Sequence, residues 1–134
     1  MSFFSRDHSS AGFPVFDRRS PSTDQLLRVV EAVKSRYKTL VIHPVLLIQD
    51  PKSSRWRGQY SPLDDDQWWG DYSQWIEGLA ITAQVSQVDL LFIGSELTSL
   101  QTESARWANL IQTVRNVFDG SIGYSANWDS WQQV

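Results

Sequence analysis

The feature that most constrains this chain is the order of its apolar segments, because short, nearly continuous apolar runs alternate with stretches whose apolar residues recur at helical spacing. Thr39 to Ile48 (TLVIHPVLLI) is the first run, Val88 to Gly94 (VDLLFIG) the second and Ser121 to Ala126 (SIGYSA) the third. Runs of this length, rich in β-branched and aliphatic residues, read as strands covered on both faces, as in a parallel sheet. Pro44 lies inside the first run, where it has no N–H to give to a sheet ladder, so a strand end or bulge is expected there.

Helical spacing fills the intervals. Leu26, Leu27, Val30, Val33 and Tyr37 predict a helix over 23–37, and Ser22 with Gln25 three residues on has the spacing of a capping box. Trp68, Trp69, Tyr72, Trp75, Ile76, Leu79, Ala80 and Ala83 predict a second helix. Asp64 to Asp66 stand at its start, where the helix dipole favours negative charge, and are read as a solvated capping cluster. Trp107, Leu110, Ile111, Val114, Val117 and Phe118 predict a third, with Gly120 placed to end it. Strand and helix in alternation suit right-handed parallel crossovers, so the fold class is α/β, with three parallel strands between helices. Periodicity alone leaves open a doubly wound sheet or part of a (β/α)8 TIM barrel. No glycine-rich phosphate loop follows a strand, which argues against a nucleotide-binding or small flavodoxin-like domain. Residues 1–20 lack periodicity and are read as loop or disordered remnant without a strand, and residues 21–134 as the folded domain.

Composition narrows the chemistry. A formal charge of -3 with scattered Lys and Arg supplies no field for phosphates, so nucleic acid is not an expected partner. With no cysteine, and with His8 and His43 far apart in sequence, neither a metal site nor a cofactor is expected. No run is apolar enough for a signal peptide or a membrane span; a soluble chain is expected, with its compartment left open. Tryptophan is over-represented, seven in all, and its flat apolar face with one N–H suits stacking on sugar rings. Trp75 and Trp107 lie on apolar helix faces and are expected to pack, whereas Trp56 and Trp128 lie in loops and are open to either role.

Parallel α/β folds collect reactive groups beyond the C-terminal ends of their strands. Here those positions hold Asp50 and Trp56-Arg57-Gly58 in the long loop after the first strand, Ser95 and Glu96 after the second, and Asn127, Trp128 and Asp129 after the third. A carboxyl group leaving an apolar strand, as Glu96 does, loses part of its hydration, which favours the protonated form that a general acid needs. By position alone, Glu96 also fits a capping or salt-bridged carboxylate.

The stretch VDLLFIGSEL, then Trp107, Leu110, Ile111, Val114 and Arg115 at the spacing W-x-x-L-I-x-x-V-R, then GYSANWD, resembles the middle of glycoside hydrolase family 113, clan A barrels acting on β-mannan. Upstream, a strand with a central proline, a Trp-Arg-Gly loop and a tryptophan-rich helix are similar too, so the resemblance covers about residues 21–131. It implies a partial TIM barrel holding about strands three to five, with Glu96 at the acid/base position of the I-G-T-E-L motif and Ser95 in place of its Thr. The family's Lys-Pro-His motif is replaced here by Ile42-His43-Pro44-Val45, which removes the Lys and His from a sugar subsite. The nucleophilic glutamate expected on strand seven has no counterpart, and a complete barrel takes about 250 residues.

The expected function is therefore that of a retaining endo-β-mannanase-like fragment that hydrolyses or binds β-linked polysaccharide. Glu96 is its general acid/base, and Trp56, Arg57, Ser95, Asn127, Trp128 and Asp129 are its sugar-contacting candidates. Asp129 or Asp50 is the fallback for a second carboxylate. The isolated chain is expected to lack catalytic competence and to self-associate through exposed sheet edges. A non-catalytic carbohydrate-binding or decayed half-barrel module is the alternative.

Overall fold

The computed structural model describes residues 1–7, 9, 17–49 and 56–129, so His8, Asp50 and Trp131 lie outside the described residues. The elements in chain order are β1 (Ser2–Ser5), α1 (Thr23–Lys34), β2 (Val41–Ile42), β3 (Val45–Ile48), α2 (Asp65–Val85), β4 (Leu90–Ser95), α3 (Ser104–Arg115) and β5 (Ser121–Ser125). Short 3-10 turns cover Arg57–Gln59 and Thr98–Leu100.

Two expectations about strands need correction. The run 39–48 is not one strand: it breaks at His43-Pro44 into β2, which pairs with β4, and β3, which pairs with β1. Proline has no ladder donor, and the break falls where it stands. Residues 2–5 are not loop but a strand, paired residue for residue with Val45–Ile48. Four residues are too few to show a period, and partnership with β3 is what makes them a strand. The pairs form a two-stranded sheet, β1-β3, and a three-stranded sheet, β2-β4-β5, linked because β2 and β3 are successive parts of one run. That makes four strand positions instead of three, all of them parallel.

The helices begin and end for visible reasons. Ser22 Oγ accepts from the Gln25 N–H at 3.3 Å while Gln25 Oε1 accepts from the Ser22 N–H at 2.9 Å, completing the capping box. α1 stops at Lys34, short of the expected 37, where the Arg36 N–H tightens to an i−3 bond on the Val33 carbonyl. Asp64 caps α2 by accepting from the Gln67 N–H at 3.0 Å, and Asp66 forms an ion pair with Arg106 of α3.

The core lies between the sheet and the helices. Phe3, Ile42, Leu46, Leu91 and Ile93 come from the strands; Leu26 and Val30 from α1; Trp68, Trp69, Tyr72 and Ile76 from α2; Leu110 and Val114 from α3. Each large side chain buried there contributes about 1.5–3 kcal/mol relative to exposure. Trp75 and Trp107 pack against this core as expected. Strand alternation turns His43, Leu90 and Phe92 to the opposite face, where the His43 ring lies 4.5 Å from that of Phe92. No helix among the described residues is long and apolar enough to cross a membrane.

Candidate functional site

The site is made by an irregularity in β4. Phe92 registers with Gly123 and Ser95 with Ser125, so three steps along β4 match two along β5, and β4 carries one extra residue. Such a bulge re-aims the side chains that follow it. The Ile93 carbonyl at the bulge accepts from the Tyr72 hydroxyl at 2.9 Å, inside the core. Gly94 is required there because a Cβ would stand 2.6 Å from the Tyr124 ring and 2.9 Å from Trp107. Ser95 ends the strand buried, and Glu96 follows with φ 53°, a left-handed backbone that a glutamate rarely takes.

Glu96 thus emerges at the C-terminal edge of the sheet, with its side chain 29% exposed. Its surroundings are not the apolar pocket that leaving an apolar strand suggests. Oε2 accepts from Arg57 Nη2 at 2.5 Å and from the Trp56 indole N–H at 3.2 Å. Oε1 has no hydrogen-bond partner among the described residues. One oxygen of the carboxylate is therefore held and the other is left without a hydrogen bond among the described residues. Both donors belong to the loop after β3, so the structure joins two parts of the predicted site.

That loop is anchored through Tyr60, whose ring is fully buried against Trp68. Its hydroxyl shares a hydrogen bond with the hydroxyl of Ser5 at the end of β1, and its carbonyl accepts from Ser99 Oγ just beyond Glu96. The Trp56 indole lies directly over Gly58, where an added Cβ would sit 2.2 Å from the six-membered ring. Any side chain at position 58 would push the indole away from Glu96.

The remaining candidates among the described residues lie at or just beyond the C-terminal ends of β4 and β5 without meeting at one point. The Glu96 N–H bonds to the Ser125 carbonyl at 2.8 Å, which places Asn127 two residues beyond the contact. Asn127 Oδ1 accepts from the Trp128 N–H at 3.1 Å. Trp128 is 83% exposed and Asp129 is exposed; no hydrogen bond or ring contact joins either to Glu96 among the described residues. Asp50, the other candidate carboxylate, lies outside the described residues. Ser95 is 4% exposed and lies within the sheet.

Three residues of the site escaped the sequence reading. His43 enters the sequence reading as an improbable metal ligand and as part of a departure from the Lys-Pro-His motif, yet its ring lies on the same sheet face as Phe92, within electrostatic reach of Arg57 and Glu96. Burial lowers its pKa most, the chain amino group and Arg57 lower it further, and Glu96 partly opposes them. Its alternation with Ile42 in the apolar run was the available signal. Tyr60 and Tyr124 act through hydroxyls whose partners are distant in sequence, and nothing in their local pattern points to those partners. Among the described residues no group of His, Cys, Asp or Glu side chains could hold a metal ion. A cleft of about 1150 Å3 between α1 and α2, lined by Ser22, Leu26, Trp75 and Thr82 among others, lies on the helix side and contains none of these residues.

Comparison with known proteins gives this geometry a family. Among solved structures, the chain resembles the GH113 β-mannanase AaManA from Alicyclobacillus acidocaldarius in complex with ManMIm, with a TM-score of 0.87 at 19% identity over 99% of this chain and 46% of that one. It also resembles two structures described as GH113 β-1,4-mannanase, one of them a complex, each with a TM-score of 0.91 at 17% identity over 100% of this chain and 45% of that one. The fold is therefore a partial (β/α)8 barrel, and the chain spans less than half the length of these enzymes. No curated protein matches it. The family model of glycoside hydrolase family 113 matches residues 5–134, and the chain belongs to that family.

Proposed function

We propose that this chain carries the acid/base half of a retaining β-mannanase-like active site, with Glu96 as the group that exchanges a proton with the glycosidic oxygen. The observation that carries the reading is the held carboxylate: Trp56 and Arg57 fix Oε2, while Oε1 accepts no hydrogen bond among the described residues and the side chain stays 29% exposed. A general acid/base needs that arrangement, because its proton-transferring oxygen must keep one direction through the reaction. Trp56, 39% exposed, presents an indole face beside the carboxylate on which a sugar ring can stack. Arg57, Asn127, Trp128 and Asp129 complete the proposed sugar-contacting set, whereas Ser95, buried at the end of β4, supports Glu96 from within the sheet.

A retaining mechanism also needs a nucleophilic carboxylate about 5–5.5 Å from the acid. No second carboxylate touches Glu96 among the described residues, so we assign the nucleophile to strands beyond those this chain contributes. The substrate class is β-linked mannan or a related polysaccharide. The test is hydrolysis of manno-oligosaccharides by the gene product carrying this chain, beside its Glu96→Gln variant. The variant should lose about 100-fold or more in kcat/KM on unactivated substrates, while an aryl mannoside with a good leaving group, which departs without protonation, should lose far less. Equal losses on both substrates would remove the acid role. Tight oligosaccharide binding without hydrolysis in either protein would favour a carbohydrate-binding module instead.

A further inference from the structure

The left-handed backbone at Glu96 is the starting point. A non-glycine residue keeps such a conformation only where its surroundings over-determine it. The peptide N–H groups on either side of the Glu96 Cα are both tied to β5: that of Glu96 to the Ser125 carbonyl at 2.8 Å, and that of Leu97 to the Tyr124 hydroxyl at 3.0 Å. The first is an ordinary ladder bond. The second needs a phenol of the right length in one fixed orientation.

That orientation is set along the whole side chain. The Tyr124 ring meets Trp107 edge-on at 5.2 Å and fills the space that the missing Cβ of Gly94 leaves. At the far end Gln101, 93% buried by its 7% exposure, brings its amide nitrogen within 3.3 Å of the hydroxyl. Burial also raises the pKa of this phenol, and the nearby Glu96 raises it further, so it stays neutral.

We propose that Tyr124 is a positioning residue for Glu96: its hydroxyl, steered by Gln101, holds the Leu97 N–H and thereby fixes the turn that aims the Glu96 carboxylate at Trp56 and Arg57. The proposal deepens the acid/base reading and rests on it for its catalytic meaning. It also ties the two most specific stretches of the sequence together physically, since Gly94 before the acid must be small for Tyr124 to reach past it.

Tyr124→Phe tests it, because the ring and its contact with Trp107 remain and the acceptor alone is lost. In the 134-residue chain we would follow amide exchange at Leu97, the indole N–H resonance of Trp56 and the carboxyl 13C resonance of Glu96, with manno-oligosaccharide binding measured in parallel by tryptophan fluorescence. The expected result is Leu97 exchange faster by about five- to tenfold, the loss of one hydrogen bond, with both resonances displaced and amides of α3 unchanged. A Leu97 amide as protected as in the unaltered chain, with Trp56 and Glu96 signals in place, would overturn the proposal. Should Tyr124→Phe fail to fold, Gln101→Met frees the hydroxyl without touching the ring and should move the same three signals in the same sense. The magnetic-resonance arm needs no carbohydrate. Displaced signals with no hydrolysis of manno-oligosaccharides by the gene product carrying this chain would therefore remove the mannanase reading and leave the positioning claim, and the converse result would do the reverse.

Discussion

At the scale of single residues, Glu96 is governed by what grips it. Arg57 and Trp56 share one of its oxygens, so the ion pair orients the carboxylate without closing it off. His43 is the titratable neighbour whose behaviour this arrangement makes measurable. Its pKa in the folded chain lies below the ordinary value of about 6.5, with burial as the largest cause. The unfolded chain therefore binds more protons near that pH, and stability rises with pH through the interval. Stability should be full above about pH 6.5 and decline as the pH falls below it, until the folded imidazole also protonates. Urea unfolding midpoints at pH 7.5 and pH 5.5 should show the decline in the unaltered chain and a smaller one in His43→Leu; equal declines would refute it. Glu96, Trp56 and Arg57 were legible because strand ends can be read from apolar runs. That His43 lies within electrostatic reach of Glu96 and that Tyr124 bonds the Leu97 N–H beside it was not, since these placements depend on register and on the bulge in β4.

At the scale of elements, local chemistry was most legible where it is self-contained. The Ser22–Gln25 box, the Asp64 cap and the three helices each involve residues a few positions apart, and each forms, although α1 ends at Lys34 before Tyr37 and α3 at Arg115 before Val117, Phe118 and the expected stop at Gly120. β1 was illegible for the opposite reason: Ser2–Ser5 becomes a strand only through a partner more than forty residues away, and its sequence alone carries no period. Pro44 was legible as a disturbance but not as a division, because only the pairing shows that β2 and β3 turn to different neighbours. The capping box gives a quantitative check. Ser22→Ala removes the acceptor for the Gln25 N–H and should cost about 1 kcal/mol of unfolding free energy, read from urea denaturation. A change near zero would show that α1 is held by packing of Leu26 and Val30 alone.

At the scale of the molecule, four parallel strand positions make half of the ring that the eight strands of a barrel close. β1 has a single partner, β3, and β5 has a single partner, β4, so among the described residues each leaves one edge unpaired. The face turned away from the helices is apolar and incompletely covered: Val41 is 48% exposed, and Leu47, Leu90 and Phe92 are half-buried. In a closed barrel such residues fill interior layers, and in the half ring they meet water. Unpaired edges beside an apolar face favour association with further strands, whether from another copy or from the remainder of a barrel. We therefore expect the 134-residue chain to show concentration-dependent association at micromolar levels by light scattering, and to bind a dye that reports exposed apolar surface. Leu47→Lys places a charge on that face and should shift the equilibrium toward the monomer and weaken dye binding. A stable monomer that excludes the dye before any substitution would mean that the face is covered from within the chain, and the half-ring account of the molecule would fail.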